Sequence, residues 1–253
     1  MTELSFSSVN EQLNKMRREG VAFDLPDAVL TQLKWLNNPV WWSDIKNNRC
    51  HLTVRKGSDV EFVKRVWADT EFMHSFHRFA GVLPENDQAV REVLNTEWSS
   101  TLNLDPSLHW IIRCPKGEPY GLLSLVDISI PHRRAEVVFG LMPTAPFGFC
   151  PAAMLMLFEF YFKKIKFNKL VANIFEENQQ SLKSSMHLGF RVEGKLYNEV
   201  MDPKANKFLS MNRLGLLVND AYCEKNARLA KKLFINIMVK IYIVMQEVMK
   251  VTT

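Results

Sequence analysis

The segment KLVANIFEENQQSLKSSMHLGFRVEGKL, residues 169–196, carries the strongest structural signal in the chain. Its first seven residues form a nearly continuous apolar run, which is typical of a strand covered on both faces. Asn178 is a favourable helix N-cap, and Gly189 offers the left-handed conformation in which many helices end. Phe190 and Val192 then reopen an extended segment. The sequence therefore predicts a strand, a short helix and a second strand in close succession.

Alternating strand and helix patterns surround this unit and predict one α/β (α+β) domain over residues 51–217. Residues 1–50 form a separate extension with candidate helices at Val9–Arg18 and Asp27–Leu36, followed by Trp41 and Trp42, which we expect to cover core surface. Residues 218–253 form an apolar tail, predicted to pack as a helix on the domain or on a second copy of the chain, with interfacial contact with a membrane as the alternative. The predicted strands are 51–56, 109–114, 120–129, 135–142 and 207–217, and the predicted helices are 59–69, 86–98 and 152–165.

Composition limits the function classes. The net charge of +5 comes without a run of five basic residues, so a nucleic-acid-binding role has little support. The four cysteines form no C-x-x-C pair, which argues against a zinc ribbon and fits a reducing cytoplasm. No stretch reaches the roughly eighteen uninterrupted apolar residues of a membrane span, and the first residues lack the pattern of a signal peptide.

The spacing Asn178-x-x-Ser181, then Leu188-Gly189-Phe190 and Glu193-Gly194, resembles the signature of GNAT-superfamily N-acyltransferases, in the branch of ribosomal-protein and aminoglycoside acetyltransferases. The resemblance covers residues from about 50 to 217. It implies a mixed, mostly antiparallel central sheet flanked by helices, with splayed fourth and fifth strands. It also implies transfer of an acyl group from acetyl-CoA or a longer acyl-CoA to a primary amine of a small molecule or peptide.

Glu136 is the leading candidate for the catalytic base, because the family places an acidic residue at the head of its fourth strand and an ammonium acceptor must lose a proton before it attacks. An ion pair with Arg133 or Arg134 is the structural alternative. His132 and Asp127, on the connection before this strand, are weaker candidates.

The same strand ends near Leu141, whose backbone amide is expected to polarise the thioester carbonyl. The family's donor loop, Q/R-x-x-G-x-G/A, binds the CoA diphosphate with backbone N–H groups at a helix start. Here it corresponds to Ala145–Cys150, followed by Pro151 and Ala152, and only Gly148 matches cleanly. Phe147 and Phe149 make this stretch more apolar than usual, so they either line an acyl tunnel or pack the helix onto the sheet. These departures predict a weaker grip on the diphosphate and raise a longer-chain acyl-CoA, or an acyl carrier protein, as the alternative donor.

The resemblance assigns Asn178 and Ser181 to contacts with the pantetheine arm, with simple helix capping as the alternative for Asn178. No tyrosine lies between Asn178 and Gly189 to protonate the departing thiolate, so Ser181, another residue of that helix or water would take this role. His74 and His77 lack a third ligand at metal-site spacing, and we expect no metal. A homodimer is one further expectation, and a non-catalytic binding protein on the same fold is the alternative from another class.

Overall fold

The computed structural model describes residues 38–78, 80–99, 107–202 and 205–234. Within them, eight strands form one sheet in the order β1-β2-β3-β4-β5-β6-β8-β7. Every neighbouring pair is antiparallel except β5 and β6, which run parallel. This is the predicted mixed, mostly antiparallel sheet. Glu136 lies on β5, so β5 and β6 are the strands that correspond to the family's fourth and fifth strands. The strands are β1 (Ile45–Lys46), β2 (His51–Val54), β3 (Leu108–Arg113), β4 (Pro119–Ser129), β5 (Arg134–Leu141), β6 (Lys169–Phe175), β7 (Arg191–Asp202) and β8 (Lys207–Leu217).

Helices cover both faces of this sheet. On one face lie α1 to α3, and on the other lie α4 and α7. The helices are α1 (Val60–Ala68), α2 (Thr70–Phe76), α3 (Asp87–Ser99), α4 (Phe149–Phe158), α5 (Gln179–His187), α6 (Val218–Ala221) and α7 (Glu224–Leu233), and the π-helical turn Glu159–Lys164 continues α4.

The stretch that opens the sequence analysis folds as predicted, into β6, α5 and β7. The Asn178 side chain accepts a hydrogen bond from the Ser181 N–H at 3.1 Å and so caps α5. Gly189 has φ +101°, and a Cβ at this position would lie 2.7 Å from the Asp220 carbonyl oxygen. The helix therefore ends where both conformation and space require glycine.

One helix was not predicted as a separate element. The region after α1 continues as α2 because Asp69 both ends the first helix and begins the second. Its N–H donates to the Val66 carbonyl at 3.1 Å, while its carboxylate accepts from the Phe72 N–H at 2.9 Å. Asp69 thus redirects the chain without a proline or a glycine, which the helical spacing alone did not reveal.

Residues from both predicted extensions enter the core of the sheet domain. Trp41 is fully buried and packs edge to face on Phe167, with ring centroids 5.6 Å apart. Cys50 is fully buried and Phe234 is 2% exposed in the same cluster, against which the half-buried Trp42 packs. The prediction that the tryptophan pair covers core surface is confirmed. The two candidate helices before residue 38 and the apolar tail after Phe234 lie outside the described residues.

Among the described residues, none of the helices is both long enough and apolar enough to cross a lipid bilayer.

Candidate active site

The parallel pair β5–β6 holds together over only three residue pairs. Arg134, Ala135 and Glu136 lie opposite Lys169, Leu170 and Val171. Beyond that point β5 stays paired with β4 as far as Leu141, and β6 stays paired with β8 as far as Phe175. A wedge-shaped gap therefore opens in the middle of the sheet, and Glu136 stands at its apex.

Glu136 is held in place from across this gap. The Asn173 side-chain amide donates to Glu136 Oε2 at 2.6 Å. Burial raises the pKa of the Glu136 carboxyl above its ordinary value, and the nearby Asp127 charge adds to the rise, while the Asn173 amide groups and Arg213 oppose it. A carboxylate with a raised pKa at the opening of a cleft suits a base that works near neutral pH.

The ion pair considered as an alternative for Glu136 does not form. Within the described part of the chain, no ion pair joins Glu136 to Arg133 or Arg134, and the Asn173 amide is its hydrogen-bond partner. The carbonyl oxygen of that amide, Asn173 Oδ1, is buried without a hydrogen-bond partner. Leaving a buried acceptor unpaired costs free energy. The Asn173 amide nitrogen therefore orients Glu136, while the amide oxygen of the same side chain stays without a hydrogen bond.

The gap also exposes backbone N–H groups of β5. The Met142 N–H donates to Tyr120 on the β4 side at 2.8 Å, whereas the Arg133 carbonyl accepts from the Lys169 N–H on the β6 side at 3.2 Å. Since successive residues of a strand direct their backbone groups to opposite edges, odd-numbered residues of β5 face β6. After Glu136 there is no β6 partner opposite them. The amides of Phe139 and Leu141 thus face the gap, where a developing oxyanion could bind.

Leu141, the residue predicted for this role, lies five positions beyond Glu136, which corresponds to ~17 Å along a strand. Proton transfer between Glu136 and an amine bound beside Leu141 is therefore too long, either directly or through a single water molecule. Phe139, two residues closer to Glu136, is the amide that the sequence analysis missed. Its position could have been found from strand alternation once β5 was placed next to β6.

The predicted donor loop, Ala145–Cys150, leads into α4, but the helix begins at Phe149 and not at Ala152, so the last two residues of that stretch are helical. Gly148 adopts φ +86°, and the Ala152 N–H donates to its carbonyl at 3.1 Å to begin the helix. The Phe149 N–H is taken by the Pro146 carbonyl at 3.2 Å, and Pro151 has no N–H. Two of the amides available to a diphosphate at an ordinary helix start are therefore absent here.

A cation from outside the loop lies against it. Arg49 Nη2 donates to the Phe147 carbonyl at 2.6 Å, and a Cβ added to Gly148 would lie 3.0 Å from the same nitrogen. The Asn47 side chain fixes the preceding turn by accepting from the Arg49 N–H at 2.7 Å and the Cys50 N–H at 2.9 Å. Arg49 Nε is buried without a hydrogen-bond partner. Arg49 was not predicted as a site residue, because 98 residues along the chain separate it from Phe147.

The two phenylalanines of the loop have different environments. Phe147 is 96% exposed, whereas Phe149 is 4% exposed and packs edge to face on Tyr120 at 5.6 Å. Phe149 and Ala152, which is fully buried, contact the sheet core. Burial raises the pKa of the neighbouring Cys150 thiol to about 11, so this cysteine stays uncharged and unreactive near neutral pH.

The remaining predicted residues are spread around the gap. Asn178 and Ser181 begin α5, which follows the carboxyl end of β6, so this helix and α4 start beside the two separating strands. His132 lies exposed in the turn between β4 and β5, at the opposite end of β5 from the donor loop. Asn178 caps the helix through Ser181, and the structure places His132 away from the donor loop.

Helix α2 borders the gap on the face that carries Glu136. A Cβ on Gly140 would lie 2.7 Å from Phe72 and 2.8 Å from Phe76, so the helix packs directly on β5. Just beyond α2, Arg78 forms an ion pair with Glu177 at 2.7 Å and lies over the Phe175 ring at 4.2 Å. This contact joins the helical side of the cleft to the end of β6.

His74 in α2 and His77, which caps the end of that helix, do not meet a third metal ligand among the described residues, where no cluster of three or more potential ligands occurs. His74 Nδ1 lies 3.3 Å from Arg78 Nη2, so the His74 ring contacts the side chain that joins α2 to the end of β6.

Comparisons with known proteins agree with this geometry. The acetyltransferase (GNAT) domain family matches residues 51–191, more than half of the chain. Spermidine N(1)-acetyltransferase of Escherichia coli K12 is 32% identical over 91 residues, which are 36% of this chain and 48% of that protein. This chain thus spans about half the length of the curated relative.

Solved structures show the same fold. Spermidine N-acetyltransferase from Vibrio cholerae, in complex with CoA and spermine, superposes with a TM-score of 0.59 at 17% identity, over 70% of this chain and 100% of that one. A dodecameric structure of the Vibrio cholerae enzyme gives a TM-score of 0.55 at 17% identity, over 68% of this chain and 96% of that one. The family match, the splayed parallel pair and the loop before α4 agree with one another, and the chain belongs to the GNAT acetyltransferase family.

Proposed function

We propose that this protein transfers an acyl group from the thioester of acyl-CoA to a primary amine, with Glu136 as the base. The observation that carries the proposal is the position of Glu136 at the apex of the gap between β5 and β6, where burial raises its pKa and backbone amides of β5 face the opening. A binding protein without catalysis would have no need of a carboxyl group with these properties.

The chemistry follows from the groups around the gap. The amine gives a proton to Glu136, directly or through water, and its nitrogen lone pair attacks the thioester carbonyl carbon. The amide of Phe139, which lies nearer to Glu136 than the predicted Leu141, stabilises the resulting oxyanion. The carbon–sulfur bond then breaks, an amide is left on the acceptor, and the thiolate of CoA takes up a proton from water or from a side chain such as Ser181.

Residues on both sides of the gap would hold the donor. The pantetheine arm would enter between β5 and β6 beside Asn178, and the diphosphate would approach the start of α4 at Gly148. Because that loop has lost two amide donors, Arg49 would supply part of the missing attraction for the diphosphate.

Several finer assignments belong to the same proposal. The string from Asn178 to Gly194 favours the ribosomal-protein and aminoglycoside branch of the family. The relatives named above act on spermidine, so a polyamine is one acceptor to include in a screen. An acyl carrier protein is the alternative donor, and a homodimer or larger oligomer is the expected assembly.

A thiol-release assay tests the proposed reaction. Purified protein is incubated with acetyl-CoA and a panel of primary amines, and released CoA thiol is measured together with the mass of the acylated amine. We expect amine-dependent release that Glu136→Gln reduces by about a hundredfold. Tight CoA binding with no acyl transfer to any amine would favour the non-catalytic alternative.

A further inference from the structure

Arg213 is a half-buried guanidinium on the face of the sheet that carries Glu136. It lies on β8 directly opposite Asn173 on β6, and side chains in such pairs have Cβ atoms ~5 Å apart on the same face. Since the Asn173 amide also holds Glu136, the three side chains form a row across β5, β6 and β8. Arg213 is therefore a close neighbour of the proposed base.

The Arg213 guanidinium has no hydrogen-bonding partner. Among the described residues, Arg213 makes no hydrogen bond and no ion pair, although its charge lowers the pKa of Glu136. The surrounding cations are matched to carboxylates. These ion pairs are Lys169–Glu193 at 2.7 Å, Arg78–Glu177 at 2.7 Å and Lys195–Glu176. A half-buried guanidinium without a hydrogen-bonding partner is unfavourable, and a bound anion that accepts its N–H groups would relieve that cost.

We propose that the acceptor is an amine that also carries a carboxylate, and that Arg213 binds the carboxylate while the amine faces Glu136. This inference rests on the proposed acyl transfer and names its acceptor class. A guanidinium is suited to the role because it can donate two parallel hydrogen bonds to a carboxylate. Asp127, an exposed carboxylate close enough to act on Glu136, would attract the ammonium end. The cleft thus presents one charge for each end of a zwitterion.

The same arrangement disfavours a polyamine. A second ammonium group at the Arg213 end would meet a like charge, and like charges in close contact oppose binding. The expected acceptor of this chain is then a free amino acid, including β- and ω-amino acids, or a short peptide with a free carboxyl group. A diamine or spermidine is disfavoured.

Matched acceptors test this assignment. Glycine, β-alanine, longer ω-amino acids and dipeptides are each compared with the corresponding carboxamide and with a diamine of equal length, using acetyl-CoA as donor. We expect the wild-type kcat/KM to favour the carboxylate of each pair by about tenfold or more, as for a charge-assisted bidentate contact. Arg213→Gln should abolish that preference by raising KM for the carboxylates more than for the carboxamides. Because loss of Arg213 also raises the pKa of Glu136, the two acceptors of each pair are compared at a pH well above that pKa.

Arg191→Gln is the control. Arg191 lies on β7, is exposed and pairs with Asp220, so its replacement removes the same charge away from the row. This variant should retain the wild-type preference. Arg213→Gln could instead lower turnover of carboxylates and carboxamides equally, with the same shift of both pH profiles. In that case Arg213 acts only on the pKa of Glu136, and its assignment to the acceptor carboxylate is wrong. A wild-type preference for diamines or spermidine would also overturn it.

Failure of the proposed reaction would be visible separately. If the wild type acylates none of the amines, the acyl-transfer proposal fails, and calorimetric titration of the same acceptor pairs then decides the carboxylate assignment. Tighter binding of the carboxylates to the wild type than to Arg213→Gln would support it, and equal binding would overturn it.

Discussion

Asn173 on β6 donates to Glu136 on β5 at 2.6 Å, and this bond spans the two strands just where they begin to separate. The contact fixes the direction of the proposed base at the apex of the gap. It also opposes the effect of burial, because hydrogen bonds to a carboxylate favour its ionised form. The protonation state of Glu136 therefore depends on a residue from the neighbouring strand.

Replacing Glu136 by glutamine should lower kcat by about a hundredfold, the range expected for loss of a general base. Wild-type kcat/KM should rise with pH through an apparent pKa above that of a free glutamate, since the ionised form is the base and burial raises the pKa. Glu199→Gln, at an exposed position of β7, is the control and should behave as the wild type. Unchanged turnover of Glu136→Gln from pH 6 to 9 would remove Glu136 from the mechanism.

The same substitution should stabilise the fold at neutral pH. A carboxyl group whose folded pKa is raised binds protons more tightly in the folded state, so its contribution to stability is present at low pH and is lost as the pH rises through the folded pKa. Glutamine does not ionise, so it has no such pH-dependent loss of stability. The melting temperature of Glu136→Gln should exceed that of the wild type at pH 8 and approach it at pH 4. An equal difference at both pH values would contradict this linkage.

Asn173→Ala should shift the pH profile rather than abolish activity. Loss of a bond that favours the ionised form raises the pKa of Glu136 further, so activity disappears first at the acidic side and recovers at higher pH. The control is Asn212→Ala, the same substitution on β8 at a position paired with Ile174. A uniform loss of kcat at all pH values would show that Asn173 acts in some other way.

Arg49→Gln should weaken use of the diphosphate-bearing donor selectively. We expect KM for acetyl-CoA to rise by about fivefold, near the upper end for a partly exposed charge interaction, and KM for acetyl-pantetheine to stay constant. Lys46→Gln on the same hairpin is the control, since Lys46 pairs with Asp44. Equal effects on both donors would indicate that Arg49 supports the loop without contributing to diphosphate binding.

Trp41→Ala should destabilise the domain by about 3–5 kcal/mol, because a fully buried indole would be replaced by a cavity. This would show that the segment before residue 51 is part of the folding unit. Phe147→Ala, at a 96% exposed position, should change the unfolding free energy by less than about 0.5 kcal/mol. Similar denaturant midpoints for Trp41→Ala and the wild type would contradict the prediction.

The sequence by itself determined the local structure of the acyltransferase unit. The apolar run of β6, the cap at Asn178 and the stop at Gly189 act within a few residues of one another, so their effects are readable from order alone. Glu136 could be selected because the family resemblance places an acidic residue at the head of this strand, whereas Asn173 was not singled out from the sequence.

Only the tertiary structure decided which side chains meet. The register of β5 against β6 pairs Glu136 with Val171 and so brings Asn173 within hydrogen-bond distance, and a shift of one residue would turn the amide to the other face. Arg49 and Arg213 reach the site from opposite ends of the chain, through a hairpin turn and an antiparallel pairing. Contacts of this kind depend on packing between distant segments, and no local pattern in the sequence encodes them.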